Sequence, residues 1–418
     1  MVKFTVVRSN SLRIPGKDRS VNLGVPWLIK LGPQACPGIR ERELMRVIFV
    51  LNGLVPGGAE LHTLQLANSL ATHGHLCTIA SLTRRHSTAH LSQNPIEMFN
   101  GNRIYDVGTI FGMSRMIRTH SPQIIVAIEE RPLLFATISR QLAGSNAKLV
   151  SILHKAYLRT ARECVFHLIY RYVVARVDAM IYVSQNQRKL WEDRGFSPPC
   201  SIVIRNGVDV HRFSAHSVIE WRDRTRLLLG FGPDDYVLGM CAAFRPEKNH
   251  CQLIDAIRVL RSRGYPVKAL LVGSGPTQPT IAQYAKENGV LERIVFAGHQ
   301  QDVRPYTSAF DVGVLCSIYE AAPLAVLEMM AMGLPVVVSN VGGTAEIVLP
   351  GETGFLFPVG DTMSLVSSIE TMSDPLKREA FGRAASKFVA ANFAADQMLE
   401  SYRVFLSELL LEQHRCDL

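Results

Sequence analysis

Three glutamates punctuate a strongly apolar stretch near the three-quarter point of the chain, YEAAPLAVLEMMAMGLPVVVSNVGGTAEIV, residues 319–348. Glu320 and Glu328 flank a seven-residue apolar gap, and Glu346 follows a pair of glycines. Pro323 suits the first turn of a helix, where a missing N–H is no loss. The pattern therefore sets Glu320 in the loop at a helix N-terminus and Glu328 inside the helix. Eight residues at helical rise span about 12 Å. Two carboxylates so spaced can accept hydrogen bonds from opposite ends of an extended ligand, a sugar at one end and a ribose at the other. The first turn, around Ala322, Pro323 and Leu324, would turn its exposed backbone N–H groups toward an anion such as a diphosphate. A single glutamate here could equally be a favourable charge at a helix N-terminus, so the reading rests on the whole set.

Cations and glycine turns stand at matching places elsewhere. AAFRPEKNH, residues 242–250, closes one predicted strand and opens a helix, which puts Arg245 and Lys248 at a strand-end loop. Arginine can grip phosphate oxygens in a fork, and lysine supplies a point charge. VPGGAE follows the first predicted strand, and its Gly57 and Gly58 allow a backbone to approach a phosphate closely. LVGSGP, with Gly273, repeats the arrangement in the second half, but Gln278 stands where a dinucleotide fingerprint needs its third glycine. His154 ends the strand-like run KLVSILH.

Positioning these groups takes two α/β domains. At 418 residues the chain exceeds one ordinary core, and apolar runs alternate with amphipathic helical segments, the pattern of parallel sheets covered by helices. Strands are predicted at 47–51, 77–81, 124–128, 149–153, 179–184 and 201–204, with helices at 59–72, 133–142, 162–175 and 185–194. The second half reads as strands at 236–242, 267–272, 294–297, 312–315 and 336–339, helices at 251–263, 280–288 and 322–332, and a helical tail over 362–411. The expected fold is α/β, two doubly wound Rossmann-like domains facing a cleft, with ligands at the carboxyl ends of the strands. Residues 1–44, with four prolines and no sustained period, read as an extension ahead of a start at Met45. Residues 45–212 form the first domain, 213–235 the connection, 236–392 the second domain, and 393–418 a helix crossing back to the first.

Composition excludes other classes. No run approaches the 18 apolar residues of a membrane span, and the N-terminus lacks an apolar signal region. The eight scattered cysteines make neither a C-x-x-C pair nor a zinc spacing, which points to reduced thiols, a cytoplasmic setting and no metal. The net charge of +9 is uneven: residues 45–210 carry +8 and residues 211–418 carry −4. A basic first half suits an anionic lipid surface or a diphosphate-linked acceptor. No aromatic-basic module or reading helix supports nucleic acid. Arg84, Arg85, Arg159, Arg162, Arg171 and Arg176, with Tyr157, Phe166 and Tyr170, would form a patch for peripheral contact with the inner face of the membrane.

Taken in order, GGAE, RNGVD, RPEK, GSGP, E-x7-E and VGGTAE resemble the family-4 retaining glycosyltransferases of the GT-B fold, from about Met45 to the C-terminus. The resemblance implies a metal-independent enzyme without cofactor that moves a hexose from a nucleotide diphosphate sugar, usually UDP-linked, with retention. The acceptor implied is a glycan or lipid-linked sugar of polysaccharide or lipopolysaccharide synthesis. The same resemblance implies that Arg245 and Lys248 hold the diphosphate, Glu320 meets the sugar and Glu328 the ribose. Gly57 and Gly58 would lie beside the phosphates and His154 beside the reacting sugar. Two positions depart from the pattern: Ala321 replaces a common glycine after the first glutamate, and Ala243 stands where many relatives carry arginine. A nucleotide-sugar epimerase and a non-catalytic nucleotide-sugar binder remain alternatives at the level of sequence.

Overall fold

The computed structural model describes residues 44–55, 57–101, 106–155 and 169–416. Two parallel sheets with helices on their faces organise them. The first half contributes β1 (Arg46–Leu51), β2 (Leu76–Ser81), β3 (Ile96–Met98), β4 (Ile124–Ile128), β5 (Lys148–Leu153), β6 (Ala179–Tyr182) and β7 (Ser201–Val203), in spatial order β3-β2-β1-β4-β5-β6-β7. The second contributes β8 (Tyr236–Cys241), β9 (Val267–Val272), β10 (Ile294–Gly298), β11 (Val312–Leu315), β12 (Val336–Ser339) and β13 (Gly354–Phe357), in order β10-β9-β8-β11-β12-β13. Runs such as IIVAI at β4 are buried at every position, as strands covered on both faces must be.

The strand order reverses once in each sheet, between β1 and β4 and between β8 and β11. Loops diverge at such a reversal and leave a crevice at the carboxyl edge, the usual ligand site of doubly wound sheets. Gly57 and Gly58 follow β1, Lys248 follows β8 and Glu320 follows β11, so these expected site residues come from three of the four strands flanking the crevices.

The tail expected over 362–411 is three helices, Thr362–Thr371, Pro375–Asn392 and Ala395–Cys416. Pro375 opens the second, with the Asp374 side chain accepting from Leu376 N–H. In the last helix, Met398, Tyr402, Leu406 and Leu409 form one buried stripe packed with Met45, Phe49 and Leu64 of the first half. Burial of each is worth about 1.5–3 kcal/mol, enough to fasten this helix across the chain.

The polar connection read at 213–235 carries a helix, Ala215–Leu228. Arg222 and Arg226 both bond the Asp311 carboxylate, at 2.6 and 3.2 Å, and Arg226 also donates to the carbonyls of Ala309, Gly232 and Asp235. A buried arginine tied down this way replaces the apolar anchor that a sequence reading looks for. The 1–44 extension, apart from Leu44, and Tyr157, Arg159, Arg162 and Phe166 of the basic patch lie outside the described residues, as does the first half of the helix read at 162–175. Among the described residues no helix is long and apolar enough to cross a membrane.

Candidate active site

Lys248 and Glu320 meet at the second crevice. The Lys248 ammonium lies 2.5 Å from Glu320 Oε1, and Ser317 Oγ donates to the same oxygen at 2.6 Å. The loops that carry them are joined by their backbones, Ile318 N–H donating to the Glu247 carbonyl at 2.8 Å. Behind this contact the Phe244 ring stacks on His250, centroids 4.3 Å apart. Gly273 is required for packing: at φ +142, a Cβ there would fall 2.0 Å from the Ala242 carbonyl oxygen. The glycine turn thereby backs the loop that carries Arg245 and Lys248.

The helix after Glu320 runs Leu324–Ala331 with Pro323 as its N-cap residue, so Ala322 lies in the loop rather than in the helix. Glu328 sits within it, half-buried. Burial lifts its carboxyl to about 7, opposed by Arg212 and reinforced by Asp302. Any ligand hydroxyl that donates to Glu328 favours the ionised form. Donor affinity is therefore expected to fall as pH drops through about 7, by up to about tenfold per unit below it, and Glu328→Gln should flatten that dependence in titrations between pH 6 and 8.

The first half supplies the opposite wall. Gly57 caps the helix Gly58–Thr72 in an extended conformation, and a Cβ added at Gly58 would lie 3.5 Å from Leu324 Cδ1 of the second half. Glu60 folds back over Gly57, where a Cβ would meet its Oε2 at 2.3 Å. A carboxylate thus already occupies the helix N-terminus where a phosphate is expected. Burial raises the Glu60 carboxyl above its ordinary value, with exposed Arg245 from across the crevice acting against the shift.

His154 lies at the end of β5, its ring 4.9 Å from that of His62 in an edge contact; His62 in turn packs on Tyr402 of the last helix at 5.3 Å. Burial, with His62 beside it, holds the His154 imidazole well below 6.5, so it is neutral near pH 7. Its Nε2 has no hydrogen-bond partner. Next to it the structure brings together groups that the sequence reading missed: Glu129 and Glu130, with Lys155 Nζ 2.9 Å from Glu130 Oε2. The available signal was two adjacent carboxylates, IEERP, directly after the buried run IIVAI.

Glu346 does not join Glu320 and Glu328. Its two carboxylate oxygens accept from Gln185 N–H at 3.2 Å and Asn186 N–H at 2.9 Å, at the start of the helix Gln185–Asp193 in the first half. Arg205 lies 3.6 Å away. Neighbouring bonds run the same way, from Asn186 Nδ2 to the Gly342 carbonyl, Ser184 Oγ to Ala321 and Asn206 Nδ2 to Ala322. Glu346 is therefore a clamp between the halves, placed against the loop that holds Glu320. Glu346→Ala should cost about 1–2 kcal/mol, the usual loss for a helix cap, read as a lower urea midpoint with an unchanged slope.

Among the described residues no three His, Cys, Asp or Glu side chains gather as a metal site. The cations beside these carboxyls are Lys248 at Glu320, Arg245 facing Glu60, Arg212 facing Glu328 and Lys155 at Glu130.

Residues 56–212 match the family model described as Glycosyltransferase Family 4, and residues 235–374 match Glycosyl transferases group 1. The N-acetyl-alpha-D-glucosaminyl L-malate synthase of Bacillus anthracis is 26% identical over 279 residues, 66% of this chain and 71% of that one. The UDP-Gal:alpha-D-GlcNAc-diphosphoundecaprenol alpha-1,3-galactosyltransferase of Escherichia coli is 25% identical over 283 residues, 66% and 72% of the two chains. Among solved structures, Anabaena HepE in complex with UDP and glucose superposes with a TM-score of 0.77 over 87% of this chain and 99% of that one, at 23% identity. With a matching domain on each side of the crevice and the two-sheet GT-B architecture around it, the chain belongs to the family-4, group-1 glycosyltransferases.

Proposed function

We propose that the protein transfers a hexose from a nucleotide diphosphate sugar, UDP-linked, to a glycan or lipid-linked acceptor in cell-surface polysaccharide or glycolipid synthesis, with retention and without a metal ion. The observation that carries this reading is the Lys248–Glu320 pair at the reversal between β8 and β11. The Escherichia coli relative, whose name specifies galactosyl transfer from UDP-Gal onto a diphosphoundecaprenol-linked sugar, supports the acceptor class.

In the proposed reaction the bond from the anomeric carbon to the diphosphate breaks and its electron pair leaves on the phosphate oxygen. An acceptor hydroxyl bonds to the same carbon on the same face, and its proton passes to the departing phosphate. Charge grows on the leaving group, so fixed cations aimed there lower the barrier. Lys248 and Arg245 would supply them, Arg245 taking over from the arginine replaced by Ala243. Glu320 would hold the sugar hydroxyls and Glu328 the ribose. His154, neutral, would offer its unpartnered Nε2 to the reacting sugar, and Gly57 and Gly58 would let the backbone close on the phosphates. On the first half, Arg84, Arg85, Arg171 and Arg176 would face an anionic, cytoplasmic membrane surface.

The test is transfer itself. UDP- and GDP-sugars are incubated with polyprenyl diphosphate-linked N-acetylglucosamine in EDTA, with free nucleotide and the anomeric proton coupling of the product recorded. The reading expects acceptor-dependent nucleotide release and a product with the donor's anomeric configuration. Conversion of the nucleotide sugar without acceptor and without free nucleotide would replace it with an epimerase.

A further inference from the structure

Glu129 is built into the first crevice at a conformational cost. It follows β4, next to β1 at the strand reversal, with φ 72 and ψ 174. Side chains other than glycine avoid this region, and holding one there costs about 1–3 kcal/mol. No side-chain bond caps the following helix, Glu130–Ala143, so capping does not explain why a glutamate stands here. Its Oε1 accepts from His154 N–H at 2.9 Å, while its Oε2 is buried and has no partner. A strained backbone that presents a half-satisfied buried carboxyl, beside the histidine expected at the reacting sugar, is the signature of a site that a ligand completes.

We propose that Glu129 is a further substrate-contacting residue of this transferase, its open Oε2 binding a carbohydrate hydroxyl at the crevice between β1 and β4. The surroundings select that chemistry. Glu60, Glu129 and Glu130 crowd together with Lys155 as the cation facing them, a set of hydrogen-bonding groups suited to hydroxyls. Burial first, then the two neighbouring glutamates, push the Glu129 carboxyl above its ordinary value, toward the protonated form. A hydroxyl can donate to the anion or accept from the acid, and so satisfies either form. It belongs either to the donor's sugar or to the acceptor.

This inference rests on the transferase reading, and its test separates the two. Glycine accepts φ 72 without strain, so Glu129→Gly should melt no lower than the wild type while losing the contact. Glu129→Gln keeps the shape and the acceptor for His154 N–H but places a donor at the open position. Calorimetry on both variants compares UDP with the UDP-sugar that the wild type binds, and nucleotide release is followed with water alone and with the polyprenyl-linked acceptor. At least a tenfold loss of affinity for the UDP-sugar, with UDP held within twofold, assigns the hydroxyl to the donor. Unchanged affinities with at least tenfold slower release assign it to the incoming group. A folded Gly variant within twofold on every measure overturns the inference, as does an equal loss for UDP and UDP-sugar, which would mark Glu129 as shaping the pocket only. A wild type that binds no nucleotide removes the transferase reading itself.

Discussion

Lys248→Ala is expected to slow turnover of the nucleotide sugar by about 100- to 1000-fold, the usual cost of removing one preorganised group from a developing charge. The effect has two parts. The variant loses a cation for the leaving diphosphate. It also takes the ammonium from Glu320, whose Oε1 it contacts at 2.5 Å, and leaves Ser317 as the remaining bond to that oxygen. Glu320, freed of its charge partner, would no longer be fixed for the sugar. The two residues act as a unit, so Lys248→Ala combined with Glu320→Ala should cost far less than the product of the single losses. Steady-state kinetics on the four proteins of that cycle decide the point. Strict additivity would show that the pair is a surface contact without a shared task.

Gly342→Ala is expected to have the largest effect on structure. Gly342 has φ +51, and a Cβ there would fall 1.6 Å from the carbonyl oxygen of Glu320. Backbone cannot swing aside as a long side chain can, so the loop from Ser317 to Ala321 must move and take the Glu320 carboxylate with it. Overpacking of this kind costs about 3 kcal/mol. Gly360, with φ +80 and nothing within 4 Å of its added Cβ, isolates the conformational part, about 1–2 kcal/mol for a left-handed residue. Urea unfolding should therefore rank wild type above Gly360→Ala and Gly360→Ala above Gly342→Ala. Only Gly342→Ala should also lose nucleotide-sugar affinity. Equal stability of the two variants would mean that the Glu320 loop is not held as described.

Much of the fold was legible because it is written in fully buried strands. Runs such as RVIFVL and IIVAI admit few other readings, and their boundaries fell within one residue or so of the structure. The elements passed over had weaker signals. β3 and β13 are edge strands of three and four residues, too short for a period to show. The helix Val107–His120 announces itself by Asp106, whose side chain accepts from Thr109 N–H, a cap that stands out only once the helix is suspected. Ala215–Leu228 was hidden because its anchor to the second sheet is Arg226 and not an apolar residue.

The site was legible on one side. Lys248 and Glu320 were predicted from separate motifs some seventy residues apart, and the structure joins them through the reversal between β8 and β11. Glu346 shows what spacing leaves out: it stands in the same stretch as Glu320 and Glu328, and its bonds go to the opposite half. Glu129 could not be ranked from sequence, because its distinguishing features are a positive φ and an unpartnered oxygen. Both arise from tertiary packing.

The central claim is that the cleft holds a nucleotide diphosphate sugar between Lys248 with Glu320 at one end and Glu328 at the other. Calorimetric titration of the wild type with UDP, GDP and their sugars in EDTA, repeated on Lys248→Ala and Glu328→Ala, tests it most directly. The account predicts saturable binding of one nucleotide series by the wild type, weakened at least tenfold in both variants. A folded wild type that binds none of them, or variants that bind as well as it does, would contradict the account.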